Sequence, residues 1–337
     1  MVLLIVVVGL ALSLGLADPG VAQDPAAQAP ANPPPPPAAV EQITDRPCGE
    51  GRCHTLRVRC ADLAPRIARV REWPPLARET DRGSVGTMVF LTGVWGKKPY
   101  FDEPERRATL EATRAAGFEV FELWWDGRLG WGEGVEGAGF ARTFCAPTEV
   151  IRWLVDTRAD TPSRVCAQGN SGGALQLAYG LALYDLDEIL DLAVLSGGPP
   201  LVDLESFCFD RTRERAKMWR ENGRRIVDTM LGFDDAGDFC KNGAPDPTAR
   251  AALASDALVL RPGIDATARH HDLRTRVVFV ESEGDKSTRQ ARRYHEALTG
   301  PTEWIELPSR AHGVDRDPET APILRRTLIE HCAAIGD

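Results

Sequence analysis

Three features of the chain predict an α/β fold with a mostly parallel central sheet, helices on both faces and a helical cap insertion. Short apolar runs alternate with segments of helical composition, which is the rhythm of parallel strands joined by crossover helices. The runs are continuous, not alternating, as strands buried on both faces must be. The rhythm lapses once, between Leu201 and about His271, where a largely helical segment takes over.

In order, Thr55 to Val58 and Ile67 to Arg71 supply opening strands. Gly86-Thr87-Met88-Val89-Phe90-Leu91 is a buried central strand that ends at Thr92-Gly93-Val94-Trp95-Gly96. Glu103 to Ala116 reads as a helix, with Pro104 near its start and Gly117 closing it. Phe118 to Trp125 is a second buried strand, and the Gly-rich stretch Asp126 to Gly139 is loop. Phe144 to Thr157 forms a helix with Val150, Ile151, Trp153, Leu154 and Val155 on its apolar side. A strand at Arg164 to Gln168 leads into the Ala/Leu-rich helix Ala174 to Tyr184. Further strands follow at Ile189 to Leu195, Arg276 to Val280 and Trp304 to Leu307, and a helix at Ala321 to Ala334 closes the chain. In the cap, Thr212 to Leu231 reads as a helix whose Met218, Trp219, Val227, Met230 and Leu231 are expected to pack mostly onto the main domain.

Ahead of this domain, residues 2–16 are an apolar run too short to span a bilayer comfortably, and Gly20-Val21-Ala22 offers a small-residue cleavage pattern. A signal peptide over 1–23 and export are therefore expected, although no Lys or Arg precedes the run. Residues 24–40 are rich in Pro and Ala and read as a disordered spacer, which leaves 41–337 as one domain with its cap at about 201–271. Eight cysteines in an exported chain imply disulfides. Cys48 with Cys53 and Cys208 with Cys240 are the pairs to test first. A structural metal is not expected, since no Cys-x-x-Cys occurs and His54 lacks a second ligand pair. The adjacent His270 and His271 are read as solvated and structural. A net charge of −9 argues against a nucleic-acid partner, which requires a concentrated basic face.

Chemistry concentrates at Gly169-Asn170-Ser171-Gly172-Gly173, where strand turns into helix. With 31 glycines and ten serines among 337 residues, chance supplies about 0.08 matches to Gly-x-Ser-x-Gly, so context must carry the reading. Serine is a poor nucleophile at neutral pH; it needs an imidazole to take its proton and a carboxylate to orient that imidazole. Downstream, Glu281-Ser282-Glu283-Gly284-Asp285 follows one strand and Pro308-Ser309-Arg310-Ala311-His312-Gly313 follows the next.

With these residues the chain resembles the α/β-hydrolases, a superfamily with secreted serine esterases and lipases, over about Gly86 to the C-terminal helix; serine, acid and histidine stand in that family's order. The resemblance implies Ser171 as nucleophile, His312 as general base and acid, and Asp285 as the orienting carboxylate, with Glu281, Glu283 and Asp203 as other candidates for the acid. It further implies an oxyanion hole from the Gly172 amide and a residue of Gly93-Val94-Trp95, with Val94 first and Trp95 second. The His-Gly-Gly-Gly pattern of many lipases is missing here. The expected activity is hydrolysis of small-molecule or polymeric carboxylic esters through an acyl-enzyme, without a cofactor. A peptidase, an acyltransferase or a catalytically silent binding module on the same scaffold are the alternatives. Trp124, Trp125 and Trp131 flank a loop near the expected site, as pocket lining or as core.

Overall fold

The computed structural model describes residues 38–61, 63–76, 84–157, 164–209, 223, 226–232, 240, 247–259 and 272–335. Residues 1–37, most of Thr212 to Leu231, and His270 with His271 lie outside the described residues.

Among the described residues nine strands form one sheet: β1 (Ala38–Cys48), β2 (Gly51–Cys60), β3 (Arg66–Trp73), β4 (Gly86–Leu91), β5 (Phe118–Trp125), β6 (Val165–Asn170), β7 (Leu192–Ser196), β8 (Arg276–Ser282) and β9 (Thr302–Leu307). Their spatial order is β1-β2-β3-β5-β4-β6-β7-β8-β9. The run β1-β2-β3-β5 is antiparallel, and from β5 through β4 to β9 every pairing is parallel. All six residues of β4 are buried, as are those of β6, and both are mainly apolar, with Thr87, Gln168 and Asn170 the buried polar exceptions. The order reverses where β4 stands between β5 and β6, and open α/β sheets place their ligands at such a crevice.

Helices cover both faces. On one lie α2 (Cys145–Thr157), α3 (Gly172–Leu183) and α6 (Thr288–Ala297), which bury Val150, Leu154, Leu175, Ala178 and Tyr294 in the larger core. On the other, α1 (Pro104–Ala115) and α7 (Ala321–Ala333) contribute Leu110, Leu324 and Leu328 to a second core. Within the cap interval, α4 (Leu204–Phe209), helical residues 226–231 and α5 (Pro247–Asp256) are described.

One boundary is corrected. The sequence assigns residues 38–40 to the spacer, but β1 already begins at Ala38 and pairs with β2 from Cys60 backward. Ala38 and Val40 are partly buried against the larger core, and that apolar contact draws the end of the spacer into the sheet.

All eight cysteines pair: Cys48–Cys53, Cys60–Cys145, Cys166–Cys332 and Cys208–Cys240. Two of these are the pairs the sequence singles out. The other two join distant elements, Cys60 of β2 to the start of α2 and Cys166 of β6 to Cys332 of α7, and spacing alone gives no sign of them. Among the described residues no helix is long and apolar enough to cross a membrane.

Candidate active site

Ser171 occupies the corner between β6 and α3 at φ 56° and ψ −112°, a conformation L-residues rarely adopt and one that lifts the side chain clear of the chain on either side. The corner is held by the Ser171 N–H, which donates to Ser196 O at 2.8 Å. Two glycines make it possible. A Cβ on Gly169 would lie 2.3 Å from the Gly173 carbonyl carbon, and one on Gly172 would lie 2.3 Å from Val94 O. Strand, helix and the loop after β4 therefore meet closer than any side chain allows.

His312 Nε2 stands 2.8 Å from Ser171 Oγ, and His312 Nδ1 stands 2.9 Å from Asp285 Oδ2. Three residues spread over 141 positions form one continuous hydrogen-bonded line. Loop pairing produces the convergence. The segments after β8 and β9 run side by side, with Gly284 N–H donating to Ser309 O at 2.9 Å and Ser282 Oγ to Ala311 O at 2.8 Å. The Asp285 carboxylate is fixed in turn by the Lys286 N–H, 2.6 Å from Oδ1, and by the Ser287 hydroxyl on Oδ2. Ser171 is 4% exposed, whereas a third of the His312 side chain is open to solvent. The imidazole is thus open to solvent while Ser171 is buried beside it.

The other acids are differently engaged. Asp203 is buried, pairs with Arg293, and accepts the Ser206 N–H at 2.9 Å. Glu283 is exposed. Glu281 is fully buried inside β8, where Oε1 accepts the Gly198 N–H at 2.9 Å and Oε2 lies 3.4 Å from Thr288 Oγ1.

The loop after β4 lies against the elbow. An ideal Cβ on Gly172 would be 2.8 Å from Val94 N, and one on Gly93 would be 3.4 Å from Ser171 Cβ. Of the two second-donor candidates, Val94 brings its amide nitrogen against Gly172. Trp95 is instead buried, with its carbonyl accepting the Trp131 N–H at 3.1 Å. Val94 has φ 51°, rare for a β-branched residue, and its side chain is exposed at the mouth of the site. Trp125 and Trp131 are each 1% exposed and belong to the core. Sequence reasoning missed Ser287, whose position two residues after Asp285 is a recognisable side-chain turn signal, and the contact between Trp131 and Val94, for which no local signal exists.

No family model matches this chain, and no curated protein is similar to it by sequence. Solved structures are similar. Brefeldin A esterase, a bacterial homologue of human hormone sensitive lipase, superposes with a TM-score of 0.50 at 17% identity, over 88% of this chain and 79% of that one. The esterase 2 of Thermogutta terrifontis, phosphoramylated by tabun, gives 0.51 at 15% identity over 90% and 97%. Puromycin hydrolase gives 0.54 at 14% identity over 87% of this chain but only 47% of its own. The chain has the α/β-hydrolase fold.

Within this α/β-hydrolase fold, the electrostatics of the acid loop separate two neighbouring carboxyls. Burial pushes the Asp285 carboxyl up, but hydrogen bonds and charge from His312, together with Ser287, outweigh it and hold the group below its ordinary value of 3.8. Burial raises the Glu281 carboxyl well above 4.5; the Gly198 N–H offsets this in part and the Asp285 charge adds to it. The two carboxyls are thus shifted in opposite directions, Asp285 down beside the imidazole and Glu281 up in the buried strand. Among the described residues no group of His, Cys, Asp and Glu side chains is arranged to hold a metal.

Proposed function

We propose that this protein is an exported serine hydrolase that cleaves carboxylic esters through an acyl-enzyme. The single observation that supports it most is the hydrogen-bonded line from Asp285 Oδ2 through His312 to Ser171 Oγ, at 2.9 and 2.8 Å, on a strained strand-to-helix corner. In this reading Ser171 Oγ attacks the ester carbonyl carbon as its proton passes to His312 Nε2. The oxyanion that forms accepts hydrogen bonds from the Gly172 and Val94 amides, the role each donor plays being worth about 3 kcal/mol of barrier. His312 then gives the proton to the departing alkoxide, which leaves as the alcohol. Water, deprotonated by the same imidazole, attacks the acyl-serine; the carboxylic acid departs and Ser171 regains its proton. Asp285 stays ionised throughout and fixes the imidazole tautomer.

The esterase names carried by the structural neighbours agree with an ester substrate, and the four disulfides agree with an oxidising, extracytoplasmic setting behind a signal peptide at 1–23. The test is labelling of the folded protein with a fluorophosphonate probe, alongside turnover of p-nitrophenyl esters, a polymeric ester and peptide amides. Ser171→Ala is expected to abolish labelling and to lower ester kcat about 10⁴-fold or more. Folded wild-type protein that neither labels nor turns over an ester would leave a silent scaffold, and preference for amides or for an alcohol acceptor would reassign it as peptidase or acyltransferase.

A further inference from the structure

Val94 is held in a conformation it would not choose. A β-branched residue at φ 51° is strained and persists only where its surroundings over-determine it. Two hydrogen bonds do so, one on each flanking peptide. The Gly96 N–H donates to Gly93 O at 2.9 Å and fixes the peptide that carries the Val94 N–H. The Trp131 indole Nε1–H donates to Val94 O at 2.7 Å and fixes the peptide that follows.

Trp131 is itself immobilised. It is buried, packs its ring against Trp95 and Phe144 at centroid distances of 5.1 and 5.3 Å, and donates its own N–H to Trp95 O. Its carbonyl accepts from Arg66 Nη1 at 2.6 Å, and the same nitrogen reaches Thr143 O at 2.7 Å. Arg66 is 2% exposed, and among the described residues no carboxylate pairs with it. A buried guanidinium that gives Nη1 to two backbone carbonyls while Nε and Nη2 find no partner among the described residues is costly unless those carbonyls need a fixed place. Burial lowers its pKa to about 10, which still leaves it charged at neutral pH.

We propose that Trp131 is a positioning residue of the oxyanion hole: its indole N–H holds Val94 in the left-handed conformation that aims the Val94 amide at the developing oxyanion, and Arg66 holds Trp131. Released from Val94 O, the residue relaxes toward negative φ and the peptide before it turns, taking the N–H away from Ser171. This rests on the reading of Ser171 as the nucleophile, and it adds a residue that never touches substrate.

Trp131→Phe removes the donor while keeping a ring in the stack. Phosphonylation of Ser171 by a fluorophosphonate is expected to slow about 10- to 50-fold, since a misaimed donor forfeits part of the 10²–10³ that a lost one costs. Ester kcat is expected to fall by a similar factor with KM unchanged, and a trifluoromethyl ketone, which binds as a tetrahedral oxyanion, to lose affinity in proportion. Thermal midpoints of the two proteins, followed by circular dichroism, are expected to lie within a few degrees. Wild-type rates and inhibitor affinity in Trp131→Phe, at any thermal midpoint, overturn the proposal alone. Failure of the wild-type serine to react with the probe overturns it together with the hydrolase reading.

Discussion

The strand end at Glu281 and the loop at Asp285 lie four residues apart, carry the same functional group, and are put to opposite uses. Glu281 points into the sheet's interior and faces a backbone N–H and a hydroxyl, both neutral. Asp285 sits one turn later, beside an imidazole that can carry charge and beneath two further donors. Burial alone acts on both in the same direction; the partners decide the outcome. The lesson is that an acid near an imidazole is not defined by proximity to the site, since Glu281 is the more buried of the two and supports the Gly198 segment that backs Ser171. An ideal Cβ on Gly198 would lie only 3.7 Å from Ser171 Cα.

The sharpest way to break this contrast is at Asp285. Asp285→Asn preserves shape but offers the imidazole a neutral partner that can hold it in the wrong tautomer, so kcat for a p-nitrophenyl ester is expected to drop about 10³- to 10⁴-fold. Steady-state kinetics on protein with an unchanged circular dichroism spectrum measure this. A drop below tenfold would mean that another carboxylate supplies the function. Because the folded group titrates below its ordinary value, the stability it confers is present above the unfolded pKa and is lost only as pH falls through the lower folded one. Acid titrations of the wild type are expected to show a loss that Asp285→Asn lacks.

How far these roles are legible in the sequence depends on what each requires. The strands β4, β5 and β6 announce themselves because burial on both faces favours mainly apolar runs, and Ser171, Asp285 and His312 follow because each stands just beyond a strand. The strand β1 escapes notice because its residues are largely exposed and polar, and its pairing with β2, not its composition, makes it a strand. The helix α6 escapes for a like reason: its sequence TRQARRYHEA offers few apolar residues, and it buries Thr288 and Gln290 alongside Ala291 and Tyr294. The Trp131 contact with Val94 bridges 37 residues through a backbone carbonyl, and a carbonyl leaves no signature in a sequence. The separate fates of Glu281 and Asp285 are hidden similarly, since what distinguishes them is whether Gly198 or His312 lies opposite.

A smaller effect is expected from Glu281→Ala, which removes the acceptor of the buried Gly198 N–H. An orphaned buried donor costs about 1–3 kcal/mol, so the urea midpoint is expected to fall while the loss of kcat stays about tenfold or less. Loss of kcat as deep as that of Asp285→Asn, in protein of undiminished stability, would place Glu281 in the chemistry and erase the contrast.

The finest discrimination comes from Glu281→Gln, which keeps an oxygen for the Gly198 N–H and turns an amide N–H toward Thr288 Oγ1, a hydroxyl already donating to Ser282 O and free to accept. Activity is expected to stay within about threefold. Stability is expected to change with pH in a defined sense. A carboxyl whose folded pKa lies above its unfolded one binds its proton more tightly in the native state, so the wild type loses stability as pH climbs above the unfolded value of 4.5 toward the folded one. Each unit of that gap is worth about 1.4 kcal/mol. The glutamine carries no proton to lose. Denaturant melts at pH 4 are expected to give nearly equal stabilities, and at pH 8 the glutamine variant is expected to be the more stable of the two. Equal differences at both pH values would show that Glu281 titrates alike in the folded and unfolded chain, and that burial in β8 does not separate it from Asp285.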